Sequence, residues 1–410
     1  MTTLGRKIYA AAGYNTVCFG SGRKEFNPKK PMPTFEAYLK ETAEGTAQQV
    51  STPEFDEGII SNFMAGRFIK QGNLAGFLPY MMPSLSGKPC LRVEGACGSG
   101  GLALTSGIKT VLSGVAETVF VAGFEIQNTQ KAVYGADVLA GAAYYNGERK
   151  EGHAFFFPGI FSNRAGSYYQ KYDQSLARQG MAKWYELAIL NARKTPKAQE
   201  YHNNSPDLFN LGMSAPTPKS FVEHLNFYDC SKVSDGASSI IIASESGLKK
   251  LGLKKEKCIE IVGFAGAEND ITLAPQDPTT LATTGLAAQK ALQCSGLTKS
   301  QIGYLELHDC FTITGLLALE SIGVAEAGKA AQFILDGKTT NEGTLPVNLS
   351  GGLVGFGHPT GATGVRQLVD ILHQLTGQAD NQAKIKKDYA MMISMGGNDK
   401  TVTAIIAKKA

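Results

Sequence analysis

Residues 91–114 read LRVEGACGSGGLALTSGIKTVLSG: a short apolar run, a glycine-rich turn around Cys97, then an apolar helical stretch. Residues 345–372, LPVNLSGGLVGFGHPTGATGVRQLVDIL, repeat that layout with His358 in the turn. A strand–turn–helix unit that occurs twice implies a chain built from two similar halves. Other segments repeat in the same order. KIYAAAGYNTV (7–17) corresponds to KCIEIVGFAGA (257–267), and FDEGIISNFMAG (55–66) to IGYLELHDCFTITG (302–315). ETVFVAGFE (117–125) corresponds to DYAMMISMGG (388–397), and ASSIIIAS (237–244) to TVTAIIAK (401–408).

Each half therefore reads as five strands with helices between them. The short runs rich in Val and Ile suit strands covered on both faces. The expected class is α/β, with two similar units packed together and mixed sheets covered by helices. The halves are expected at 1–125 with 228–250, and at 251–410. Residues 126–227 break the repeat. They are aromatic and polar, with AYYNGERKEGHAFFFPGIFSNRAGSYYQKY at 143–172. They read as an inserted loop domain reaching over the strand ends, where a lid or specificity element belongs.

Composition narrows the function. A net charge of +4 over 410 residues, with scattered lysines, gives no nucleic-acid-binding patch. Seven cysteines with no C-x-x-C fit neither a disulfide framework nor a zinc ribbon. A reducing intracellular compartment is expected: the cytoplasm first, the mitochondrial or peroxisomal matrix as alternatives. No apolar run reaches the ~18 residues of a spanning helix. A strand is expected within about seven residues of the start, so no signal or transit peptide is expected within this sequence, one already removed being the alternative. The terminal AKKA does not match the peroxisomal tripeptide.

Four stretches carry chemistry. Cys97 stands at a helix N-terminus, where the dipole is expected to lower its pKa and favour a nucleophilic thiolate. A buried structural cysteine is the bland alternative. Gly95, Gly98, Gly100 and Gly101 around it allow a tight turn and argue for function. His358 holds the matching turn of the second half, and an imidazole beside a thiol is a recurring way to activate it. In HDCF, His308 and Cys310 are two apart and face one way in an extended chain. Asp309 then faces the other way, as a helix N-cap or structural hydrogen-bonding group. Gly396 and Gly397 end a strand, and their bare N–H groups could meet an anion.

Together these residues resemble the thiolase superfamily along essentially the whole chain. The HDCF fingerprint is similar to that of the sterol-carrier-protein type. The resemblance implies the thiolase fold: two βαβαβαββ halves in a layered αβαβα arrangement with an inserted loop domain. It implies Cys97 as the acyl-accepting nucleophile, activated by His358. His308 and His358 would form one oxyanion hole, and the N–H groups of Cys97 and Gly396 a second. Cys310 would be the acid/base at the α-carbon. Many thiolases carry a catalytic cysteine where this chain has Ser394, and a serine cannot replace that base, so Cys310 compensates. The implied reaction is reversible Claisen chemistry on 3-ketoacyl-CoA. Coenzyme A is substrate or product, and no cofactor is tightly bound.

Arg149, Lys150, Arg164, Lys171, Arg178 and Lys183 are the basic residues of the insertion that could meet CoA phosphates. Phe155, Phe156, Phe157 and Phe161 form either an acyl pocket or core. A homodimer or homotetramer is expected, with TVFVAG (118–123) near its interface. Two rivals remain. A decarboxylating ketoacyl synthase lacks support, because its His-Gly-Thr-Gly-Thr stretch is absent. The other is a thiolase-like acyl-CoA-binding protein, or a subunit that needs a partner for turnover.

Overall fold

The computed structural model describes residues 4–149 and 154–410. Lys150 lies outside the described residues. Nine described strands form one sheet: β1 (Ile8–Asn15), β2 (Glu57–Ser61), β3 (Cys90–Val93), β4 (Thr118–Glu125), β5 (Gly236–Ala243), β6 (Ile259–Glu268), β7 (Ile302–Glu306), β8 (Tyr389–Gly396) and β9 (Thr401–Lys409). Their order is β3-β2-β4-β5-β1-β6-β9-β8-β7. Outward from the centre, one half runs β1, β5, β4, β2, β3 and the other β6, β9, β8, β7. The two paths are the same, which is the internal repeat made visible. β1 and β6 pair antiparallel, Tyr9 opposite Glu260, and join the halves about a pseudo-two-fold axis.

The second half departs from the expected five strands. LPVNL contributes only a single parallel bridge, Leu305 to Val347. Pro346 has no N–H to give to a ladder, although its carbonyl accepts from Leu305 N at 3.1 Å.

The main helices are α1 (Phe35–Ala47), α2 (Ser99–Leu112), α3 (Phe156–Lys171), α4 (Gln174–Ala192), α5 (Ala282–Ser295), α6 (Thr312–Ser321) and α7 (Thr363–Thr376). Strand alternation assigns the layers. In β5, Ile240 and Ile242 join Leu104 and Ile108 of α2 and Val365 and Leu368 of α7. Ile241 and Ala243 face the opposite side, with Tyr38 and Leu39 of α1. In β9, Ile405 and Ala407 face the middle helices, while Ala404 and Ile406 face Ala287 of α5 and Leu316 of α6. The result is the five-layer αβαβα stack. Each fully buried aliphatic side chain in it contributes ~1.5–3 kcal/mol.

Two expectations are corrected. Residues 118–123 do not lie at a surface. They belong to β4, which runs between β2 and β5 with every residue buried. They are apolar because helices cover both faces of that strand. The insertion, in turn, is more than a lid. Ala165 and Tyr168 of α3 and Met181 and Trp184 of α4 share one core cluster with Leu305, Ile313 and Met391 of the second half.

Candidate active site

Helices α2 and α7 touch at their N-terminal ends. A Cβ at Gly364 would lie 2.3 Å from Gly101 N, and one at Gly100 would lie 2.7 Å from Gly364 N. Only glycines permit that approach, and it brings the Cys97 and His358 turns together. The left-handed residue of the nucleophile turn is not a glycine, as expected, but Ala96 (φ 53°). Its N–H donates to Glu94 Oε1 at 2.5 Å, and its carbonyl accepts from Ser99 Oγ at 2.6 Å. Of the flanking glycines, Gly100 and Gly101 serve the helix crossing, while Gly98 lies against the backbone of Gly396 and Thr401.

Cys97, His308, Cys310, His358 and Gly397 line one cavity of about 460 Å³. The two imidazoles stand edge to face with centroids 5.0 Å apart. Met395 N–H donates to His308 Nδ1 at 3.3 Å. That bond places the His308 proton on Nε2, making it a donor. His358 Nδ1 lies 2.7 Å from Thr363 Oγ1, and that hydroxyl is also 2.9 Å from Pro359 O. His358 Nε2 is buried with no protein partner. When the Thr363 hydroxyl points to Pro359, Nδ1–H donates to it and Nε2 is a bare acceptor. When the hydroxyl turns to Nδ1, Nε2 carries the proton. One rotating hydroxyl thus supports both a base and a donor at the same atom.

The electrostatics reverse one expectation. The Cys97 thiol is pushed up to about 12, first by burial and then by the Glu125 carboxylate. The Gly397 N–H and its own N–H pull the other way and do not win. Burial, and then Cys97, also raises Cys310 well above an ordinary thiol. Burial, followed by the Arg366 charge, takes His358 down to about 3. His308 is held well below the usual imidazole range by burial, then by His358 and Arg366. At rest the site is two neutral thiols and two neutral imidazoles.

The remaining expected residues fall as follows. Asp309 is fully buried and accepts from Trp184 Nε1 at 2.9 Å and Leu353 N at 2.7 Å. It is a structural acceptor and not the cap of α6, a position held by Phe311. Ser394 lies under the α2–α7 crossing, its Oγ buried without a partner and outside the cavity lining. Gly396 packs on the nucleophile turn, where a Cβ would meet Gly95 O at 2.2 Å. Of the two glycines, it is Gly397 that lines the cavity.

None of the described basic candidates lines the cavity. Arg149 pairs with Asp137, Lys171 with Asp277, Arg178 with Asp229 and Lys183 with Glu186. Arg164 is buried on Asn398 and two backbone carbonyls. Lys131 and Lys232 are the lysines at the lining. Phe155, Phe157 and Phe161 line the cavity, whereas Phe156 is core only.

Sequence reasoning missed Glu125. This buried carboxylate at the end of β4 accepts from Phe63 N, Met64 N and Asn62 Nδ2 on one side. On the other it accepts from Thr360 Oγ1 and Gly361 N, next to His358. The signal was present: one acid closing an otherwise uncharged, buried strand.

A family model described as thiolase C-terminal domain-like matches residues 266–409. An acetyl-CoA acetyltransferase of Methanothermobacter thermautotrophicus is 32% identical, over 87% of this chain and 89% of its own length. The benzoylsuccinyl-CoA thiolase subunit BbsB of Thauera aromatica is 26% identical, over 92% and 90%. Human sterol carrier protein 2 is 28% identical, over 77% of this chain and 58% of its own, which accords with the sterol-carrier-type fingerprint. The human mitochondrial 3-ketoacyl-CoA thiolase solved with CoA superposes with a TM-score of 0.69 at 18% identity, covering 100% of this chain and 99% of that one. The chain belongs to the thiolase superfamily, and it is an acyltransferase of the thiolase type.

Proposed function

We propose that the chain cleaves and forms 3-ketoacyl-CoA through an acyl-Cys97 intermediate. The observation that carries this reading is the meeting of two neutral thiols and two neutral imidazoles at one cavity. In cleavage, the Cys97 proton passes to His358 Nε2 and the thiolate attacks the keto carbon. The N–H groups of Cys97 and of Gly397, the strand-end glycine at the cavity lining in place of the expected Gly396, hold the tetrahedral oxygen. The C–C bond breaks, and its electron pair moves to the thioester oxygen as an enolate. His308 Nε2–H and the newly protonated His358 Nε2–H hold that enolate. Cys310 gives its proton to the α-carbon, and acetyl-CoA leaves. The Cys310 thiolate recovers its proton from His358, which then takes the proton of incoming CoA as the CoA sulfur attacks acyl-Cys97. The released Cys97 thiolate recovers its proton from His358. Synthesis reverses these steps.

The acyl group is assigned to the wall nearest the nucleophile, where Leu139 and Phe157 pack beside Ala96. Phe161, stacked on Phe311 at 4.6 Å, continues that wall. Such a lining favours acyl groups larger than acetyl. The edge strand β3 supports a homodimer, because it leaves ladder groups free for a second copy. All seven cysteines are unpaired, in keeping with a reducing compartment. Among the described residues no helix is long and apolar enough to cross a membrane.

A relative named as a thiolase subunit favours a second reading, in which this chain turns over only within a hetero-assembly. One experiment separates the two: thiolysis of acetoacetyl-CoA and of a longer 3-ketoacyl-CoA by wild type, Cys97→Ala and Cys310→Ala. Turnover is expected in wild type, with the longer substrate preferred. It should fall by roughly a thousandfold or more in Cys97→Ala. Cys310→Ala should lose thiolysis yet still acylate at Cys97 by intact mass. Acylation without turnover in the wild type would favour the subunit reading, and no acylation at all would sink both.

A further inference from the structure

The turn that carries Cys310 is held on both sides from helix α4, an element of the insertion. On one side, the chain's only tryptophan, Trp184, donates its indole N–H to Asp309 Oδ2 at 2.9 Å. Its ring lies flat against α6, where a Cβ at Gly315 would come within 2.6 Å of it. On the other side, Arg178 grips Asp229 with both guanidinium nitrogens, at 2.7 and 2.6 Å. Asp229 in turn accepts from Thr312 Oγ1 at 2.5 Å. Ser231 N–H closes the clasp on Cys310 O at 2.9 Å. The residue before Cys310, its own carbonyl and the residue two after it are each tied down, while its thiol faces the cavity. None of these ties reaches the Cys97 turn, which is fixed separately by Glu94 and Ser99.

Buried charge-assisted pairs of this bidentate kind are strong and directional. Proton transfer to carbon tolerates little displacement of the donor. From this geometry we infer that Trp184 and Arg178 are positioning residues for α-proton transfer by Cys310, so that α4 controls the carbon–carbon step and not the acylation step. Neither touches the reacting atoms. The inference rests on the proposed roles of Cys97 and Cys310. It also accounts for Arg178: the residue is committed to the acid/base turn and not to CoA phosphates.

The two steps can be read separately. Acylation of Cys97 by acetyl-CoA is followed by intact mass. Proton transfer is followed by exchange of the acetyl-CoA methyl hydrogens with D2O. Trp184→Phe keeps an aromatic ring beside Gly315 and removes the indole N–H with the second ring. Thr312→Val keeps the shape and removes only the hydroxyl. Each variant should slow exchange at least tenfold while changing the acylation rate less than twofold. Equal loss of both rates, or loss of neither, overturns the inference and leaves the proposed function standing. A wild-type protein that neither acylates nor exchanges overturns both together.

Discussion

Cys97 stands at the N-terminus of α2, yet it holds its proton more firmly than a free thiol does. Magnitudes explain this. A helix end contributes ~0.3–1 kcal/mol to a nearby charge, and up to about 2 when partly buried. A rise from 9 to about 12 corresponds to ~4 kcal/mol against the thiolate. Burial and the Glu125 carboxylate therefore outweigh the dipole, and ionisation has to accompany substrate attack. His358 carries the same burial with opposite sign. Its folded pKa of about 3 lies below the ordinary 6.5, so the unfolded chain binds more protons between those values. Stability from this group is complete above 6.5 and is lost as pH falls toward 3. At pH 5 the loss from His358 amounts to ~2 kcal/mol. His358→Gln removes that titration. Between pH 7 and pH 5 it should lose about 2 kcal/mol less unfolding free energy than wild type, by urea denaturation. Equal losses would mean that the folded imidazole titrates normally. Cys97, His308, Cys310 and His358 were legible because they stand at repeated strand-to-helix turns. Their protonation states were not, since burial is a property of the assembled layers.

At the scale of elements, the crossing of α2 and α7 decides whether the two turns meet. The backbones touch at Gly100, Gly101 and Gly364, so any side chain there has to push whole helices apart. Overpacking typically costs ~1–3 kcal/mol. The larger consequence is displacement of His358 from Cys97, since a ~1 Å misplacement can cost about a hundredfold in rate. Gly364→Val should therefore lower thiolysis more than a hundredfold in a protein that still folds, as judged by circular dichroism. Retained activity would show that the two turns are held together by something other than this contact. These glycines could be read as a turn signal from the sequence, but not as a helix crossing, because the partner glycine is distant in the chain. The same difficulty explains β4. A strand covered on both faces within its own chain and a strand buried by a second copy have the same apolar pattern, and only the sheet order tells them apart. The short runs rich in Val and Ile, being a local signal, were read correctly as strands covered on both faces for β5 and β9.

For the whole molecule, the repeat suggests two domains while the packing argues for one folding unit. The middle helices belong to both halves: one cluster joins Ile8, Ile59 and Val121 of the first half with Tyr304, Met392 and Ile405 of the second, through α2 and α7. Neither sheet half can cover its inner face without the other's helix. The insertion adds a further tie, because α3 and α4 depart from the first half and pack into the outer core of the second. Separation of the halves would expose both surfaces at once, so unfolding should be a single cooperative step even at this chain length. Trp184 makes this measurable, because the only tryptophan reports the insertion and second half, whereas far-ultraviolet dichroism reports every helix. In urea the two signals should share one midpoint and one slope. A tryptophan transition displaced from the dichroism transition would mean that the outer core of the second half melts independently, and that the boundaries drawn from the repeat mark true folding domains.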